Sequence, residues 1–110
     1  MARDLGWGEV RMVDLGGPHK TRPALILTRQ SAIPYLNAVT VAPITRTLRG
    51  VPTEIRLGVA EGLKTTSAAN LDAIQTVQTA RVGRYLGTLD ARRRHEIRFA
   101  VLFALGLDTP

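Results

Sequence analysis

Residues 8–28, Gly8-Glu9-Val10-Arg11-Met12-Val13-Asp14-Leu15-Gly16-Gly17-Pro18-His19-Lys20-Thr21-Arg22-Pro23-Ala24-Leu25-Ile26-Leu27-Thr28, decide the class of fold. From Gly8 to Leu15 the residues alternate, Val10 and Met12 against Glu9 and Arg11, which is the period of a strand with one buried face. Gly16-Gly17-Pro18 then reads as a tight turn, because two glycines accept positive φ and the proline fixes the exit. Pro23 to Thr28 is a nearly continuous apolar run, the pattern of a strand buried on both faces.

Outward from this hairpin the same grammar recurs. Asn37 to Ile44 is β-branched and apolar, a second central strand, and Pro43 must stand at its end or at an irregularity because it lacks an N–H. Thr53 to Leu57 alternates. Ser67 to Ala69, Leu71 to Val77 and Val82 to Leu89 supply further strands, the last thinned by Gly83 and Gly87. Short strands with frequent turns predict a mainly β fold, a small curled antiparallel sheet or SH3-like barrel. The period changes at the end. Asp90 can cap a helix from Ala91 to about Leu105, with Ile97, Ala100, Val101, Ala104 and Leu105 at helical spacing and Gly106 to stop it. Its second half is apolar nearly all round, which predicts burial against the sheet and against another subunit.

A chain of 110 residues fits a single domain, 1–110. It has no cysteine, which excludes thiolate metal sites and cysteine nucleophiles and suits a reducing compartment. No secretion signal or membrane-length apolar run is found, so a cytoplasmic protein is expected. Fifteen Lys+Arg against nine Asp+Glu give a net charge of +6, an excess that favours a polyanion or an acidic protein as partner. Neither clustered carboxylates nor a His pair at ligand spacing occurs, so no metal or other cofactor is expected.

Several stretches, in order, resemble the MazF/PemK family of toxins. They are Gly8-Glu9-Val10 with Val13-Asp14-Leu15, Thr21 to Leu27, Asn37 to Thr45, Arg49 to Glu54, Ser67 to Val77, and Ala104-Leu105-Gly106-Leu107. The resemblance spans almost the whole chain. It implies the fold shared by MazF and CcdB, a small β-barrel-like sheet with a C-terminal helix, in a homodimer. It implies a metal-independent endoribonuclease that cuts single-stranded RNA at short sequences and leaves 2′,3′-cyclic phosphate and 5′-hydroxyl ends. It also implies an antitoxin partner, MazE-like, whose C-terminal tail blocks the site. The family's catalytic arginine before proline falls on Arg22, and the threonine or serine ending the third strand falls on Thr45.

Those residue types suit the chemistry. When the 2′-hydroxyl of the substrate attacks, the protein must stabilise extra negative charge on phosphorus and manage two protons. A guanidinium keeps its charge and grips two phosphate oxygens together, the task assigned to Arg22, with proton delivery to the departing 5′ oxygen as a further one. The hydroxyl of Thr45 can hold the scissile phosphate still. On residue type alone Arg22 is a solvated strand-edge charge and Thr45 an ordinary strand end. His19, Lys20 and Thr21 form a basic lip upstream of Arg22, with His19 a candidate general base. Arg46 and Arg49 follow Thr45 as RNA contacts. Asp72 and Gln75 fall where family members hold bases. His95 and the Arg92-Arg93-Arg94 cluster read as a solvated helix face.

Two departures concern sequence recognition. The loop Gly16 to Lys20 is shorter than in many relatives, and Ala73 stands where relatives carry a polar residue. Two other functions fit the composition less well. A gyrase poison of the same fold would use the terminal helix, whereas the matches cluster around Arg22 and Thr45. A non-catalytic RNA-binding barrel would need stacking aromatics, and only Trp7, Tyr35, Tyr85, Phe99 and Phe103 are present.

Overall fold

The computed structural model describes residues 5–109, apart from the side chain of His19. Its strands are β1 (Glu9–Asp14), β2 (Thr21–Ile26), β3 (Ala38–Thr45), β4 (Glu54–Leu57), β5 (Ser67–Asn70), β6 (Gln75–Gln78) and β7 (Val82–Thr88), followed by the helix α1 (Arg94–Ala104). All pairings are antiparallel, in the order β4-β5-β3-β2-β1-β7, with β6 also on β3. One edge of β3 therefore serves two strands: β6 pairs Ala38 to Val41, and β5 pairs Ile44 and Thr45. Pro43 falls in the gap between them, where its missing N–H breaks no ladder.

The first turn forms as expected. Gly16 and Gly17 take φ of 75° and 58°, Lys20 follows at φ 42°, and the Asp14 carboxylate accepts from the Gly16 N–H at 2.9 Å. β2 is buried on both faces, as its unbroken apolar run predicts. Leu25 joins Val10, Ala42, Ile44, Ile55, Leu57, Ile97 and Ala100 on one side, while Ala24 and Ile26 join Val13, Val39, Val41 and Val77 on the other. Removing such side chains from water is what holds a curled sheet of this size together.

Two expectations need correction. Leu71 to Val77 is not one strand, because Leu71–Ala73 forms a 3-10 turn and β6 begins at Gln75. The turn lets Leu71 drop into the core beneath α1. The helix also starts later than expected: Ala91–Arg93 is a 3-10 turn, capped by the Asp90 carboxylate accepting from Arg92 N–H at 2.9 Å. Ile97 and Ala100 face the core, but Phe99, Phe103, Leu105 and Leu107 point outward, so the apolar second half of α1 is only half covered within one chain.

The arginine cluster is not a uniformly solvated face. Arg93 donates to both Glu96 oxygens at 2.8 Å, to the buried Glu61 carboxylate at 3.1 Å and to the Arg56 carbonyl at 2.6 Å. The Glu96 hydrogen bond is the main cause that raises the Arg93 pKa and, from the other side, lowers that of Glu96. Arg94 lies over the Trp7 ring at 4.2 Å. His95 is exposed, as expected.

Glu61 belongs to the connection between β4 and β5, which is pressed backbone to backbone onto β7. A methyl group on Gly62 would overlap the Leu86 carbonyl, and one on Gly87 would overlap the Glu61 carbonyl. Gly87→Ala should therefore lower the unfolding free energy by about 1–3 kcal/mol, the cost of forcing carbon into a closed contact, read as a shift in the urea midpoint. Asp90 is held at about 2, below its ordinary 3.8, chiefly by the hydrogen bond from the Arg92 side chain. A carboxylate depressed in the folded state stabilises it above its unfolded pKa and stops doing so as pH falls through the folded value. Asp90→Asn keeps the cap and loses the charge, so its deficit in thermal midpoint against the parent should be present at pH 6 and vanish on acidification to about pH 2.

Candidate functional site

The ladder between β2 and β3 runs Ile26–Val41, Leu25–Ala42, Ala24–Pro43 and then stops. Leu27 N–H donates to the Thr40 carbonyl at 2.9 Å, which fixes the phase: Leu27–Thr40, Leu25–Ala42 and, next, Pro23–Ile44 are the pairs that face each other with their backbone polar groups. Pro23 has no N–H to give Ile44, so the strands part there. On its other edge β2 stays paired with β1 as far as Thr21–Asp14. A cleft of about 680 Å³ opens where β2 and β3 separate.

Arg22 and Thr45 stand just past the open Pro23–Ile44 pair, on the two diverging strands. Both line the cleft. Arg22 is half-buried with its Nε shielded from solvent. The Thr45 hydroxyl oxygen accepts from the Thr47 N–H at 3.2 Å, and its own hydrogen is still able to donate. Arg46 and Thr47 follow on the same rim.

The opposite wall was not legible in the sequence. It consists of Gly62, Leu63, Lys64, Thr65 and Ser67 from the connection into β5, with Arg84 and Leu86 from β7. A plain alternation would set Arg84 on the face of Val82. Instead Val13 pairs with Val82 and Arg11 with Tyr85, so Gly83 and Arg84 together oppose Met12 in a bulge. The extra residue turns Arg84 to the side of Met12 and Leu86, which also line the cleft. Glu54 was likewise missed: its carboxylate accepts from the N–H groups of Arg49 and Gly50 at 2.9–3.2 Å and ties down the connection after Thr45.

The remaining expected residues lie elsewhere. Lys20 and Thr21 are exposed at the turn before Arg22, and the His19 side chain lies outside the described residues. Arg49 is exposed further along the connection. Gln75 pairs with Val41, four residues from Thr45 on β3, hence about 13 Å away along the strand. Asp72 is exposed on the 3-10 turn against which α1 packs. The structure thus gathers Arg22, Thr45 and Arg46, and spreads Lys20, Thr21, Arg49, Asp72 and Gln75 around them.

This cleft gathers more cations than the hollow lined by Trp7, Arg29, Gln30 and Arg94, which also lacks a carboxylate. The cleft lining includes the cations Arg22, Arg46, Lys64 and Arg84 and no carboxylate. A second hollow beside Trp7 carries Glu61 and Asp90 as well as Arg94, and the groove under α1 is mostly apolar, with Leu27, Leu36, Ile74, Ile97 and Val101. Among the described residues no three His, Asp or Glu side chains come together as metal ligands would. No helix among them is long and apolar enough to cross a membrane.

Comparison with known proteins identifies the family and the fold. The model of the PemK-like, MazF-like toxins of type II toxin–antitoxin systems matches residues 7–105. Endoribonuclease MazF3 of Mycobacterium tuberculosis is 38% identical over 99 residues, covering 90% of this chain and 96% of the relative. Among solved structures, Mycobacterium tuberculosis toxin MazF-mt6 superimposes with a TM-score of 0.85 at 38% identity, covering 92% of this chain and 99% of its own. An endoribonuclease in complex with its cognate antitoxin, from a mycobacterial species, gives 0.82 at 31% identity, covering 94% of this chain and 97% of its own. With the family model spanning nearly its full length, the chain belongs to the PemK-like, MazF-like toxin family of type II toxin–antitoxin systems.

Proposed function

We propose that this protein is the toxin of a toxin–antitoxin pair and cuts single-stranded RNA without a metal, using the 2′-hydroxyl of the substrate as nucleophile. One observation supports the reading: Arg22 and Thr45 line one cation-rich cleft at the point where β2 and β3 part. In the reaction the 2′-hydroxyl loses its proton to solvent as the O2′–P bond forms, and the P–O5′ bond breaks as O5′ takes up a proton, leaving a 2′,3′-cyclic phosphate and a 5′-hydroxyl. Arg22 grips the non-bridging oxygens as their charge grows, and its geometry also suits a hydrogen bond to the departing 5′ oxygen. Thr45 donates to a phosphate oxygen and keeps the phosphorus in line with the attack. Cutting of messenger RNA, and of ribosomal or transfer RNA, would stop translation and growth.

The cleft also suits the regulator. An acidic antitoxin tail would lie along the same cations, MazE-like in occupying the site. The relative solved with its cognate antitoxin supports this partner. Phe99, Phe103, Leu105 and Leu107 give a second copy of the chain an apolar surface to cover, in keeping with a homodimer. The composition and the absence of cysteine suit a cytoplasmic protein.

The decisive experiment maps the ends left on a long unstructured RNA in the presence of EDTA. Cyclic phosphate ends and undiminished cutting are expected, and requirement for a divalent ion would remove the mechanism. RNA whose attacking ribose lacks its 2′ oxygen should resist cleavage altogether. Arg22→Ala should abolish cutting while circular dichroism and antitoxin binding stay near normal. Thr45→Ala should lose about 2–4 kcal/mol of transition-state stabilisation, the scale of one oxyanion donor, seen in kcat. A Thr45→Ala enzyme at full speed would show that the hydroxyl has no part in catalysis.

A further inference from the structure

Arg22 and Thr45 account for one wall of the cleft. The other wall carries Lys64 and Arg84, which no part of the mechanism above uses. We propose that Lys64 and Arg84 form a second phosphate site, which grips the RNA backbone at a linkage adjoining the scissile one. The proposal rests on the endoribonuclease reading and concerns how that substrate is held.

The first support is partnership. Several arginines elsewhere are engaged by neighbours: Arg11 with Glu9, Arg81 with Asp14, Arg92 with Asp90, Arg93 with Glu61 and Glu96, and Arg94 with the Trp7 ring. Lys64 and Arg84 make no hydrogen bond or ion pair with the described residues and are exposed. Cations that line one cleft repel each other, and a bound anion lowers that cost.

The second support is construction. Arg84 reaches the cleft only through the bulge opposite Met12, and bulges re-aim side chains at the price of broken pairing. Lys64 sits two residues after Gly62, whose backbone lies against Leu86, and Glu61 is tied to α1 through Arg93. Both cations thus stand on a braced wall, which limits the entropy lost when they close on a ligand.

The third support is the rest of the lining. Beside Arg22, Thr45, Lys64 and Arg84 the cleft is lined by the apolar side chains of Met12, Pro23, Ile44, Leu63 and Leu86. Cations together with apolar surface suit a nucleotide chain, in which phosphates alternate with sugar and base. At about 680 Å³ the cleft lies within the roughly 300–1,000 Å³ of sites that enclose small ligands, enough for such a unit.

The test uses an oligonucleotide spanning a mapped cut site with a 2′-deoxy residue at the attacking ribose, so that it binds and is not cut. Its dissociation constant is measured by fluorescence anisotropy against salt for the parent, Lys64→Gln, Arg84→Gln and the double variant, with thermal midpoints as folding control. Each single variant should bind about tenfold more weakly, and the double variant should lower the salt slope by about 0.7, the share of one phosphate on a single strand. A neutral methylphosphonate is then set at the linkage on either side of the scissile one. On one side it should weaken the parent about tenfold and leave the double variant unchanged; Lys64→Arg should restore the parent response. Folded variants that bind as the parent does, or a methylphosphonate penalty that is the same in parent and double variant at both linkages, would overturn the proposal while cleavage of the all-ribose oligonucleotide leaves the nuclease reading intact. Failure of the parent to cut any RNA would instead bring down the reading beneath it.

Discussion

A single missing hydrogen-bond donor organises this molecule. Pro23 stands where β2 should exchange backbone hydrogen bonds with Ile44, and it has no N–H to offer. Its nitrogen faces β3 alone, so β1 and β2 remain paired while β2 and β3 separate. Separation frees the end of β3 to join β5 on its other edge and exposes Arg22 and Thr45 to one space. The proline next to the arginine thus shapes the cleft, because it makes the opening that Arg22 lines.

The far side of that opening depends on contacts of a different kind. Gly62 and Gly87 bring two backbones closer than any side chain would permit, and Glu61 and Arg93 tie the same connection to α1. Sheet, connection and helix are therefore coupled through a few atoms. Disturbing the helix at Arg93 or β7 at Gly87 would be felt at Lys64. The helix, which contributes no residue to the cleft lining, still sets the position of one of its walls.

Division of labour among the basic residues follows from this arrangement. A net charge of +6 says only that the chain favours anions, and it does not say where. In the structure some cations are neutralised by neighbours, such as Arg93 with its two glutamates, and four, Arg22, Arg46, Lys64 and Arg84, gather without carboxylates around the cleft. That sorting turns a diffuse excess into a directed field, the form in which charge can both steer and hold a phosphate chain.

Local periodicity and turn chemistry were enough to mark most of the strands, the glycine-rich first turn, the buried character of β2 and the existence of a final helix. Arg22 and Thr45 were legible through their place in ordered motifs, but not their meeting, which needs the register of β2 on β3. Leu71–Ala73 read as strand because an apolar residue at a turn looks the same as one in a ladder; only packing under α1 distinguishes them. Lys64 and Arg84 were invisible for a sharper reason. Alternation assigns faces only while pairing is regular, and the bulge at Gly83–Arg84 adds one residue and reverses the side on which Arg84 emerges. Tertiary structure alone decided that wall, because a register shift is a property of two strands together and neither records it.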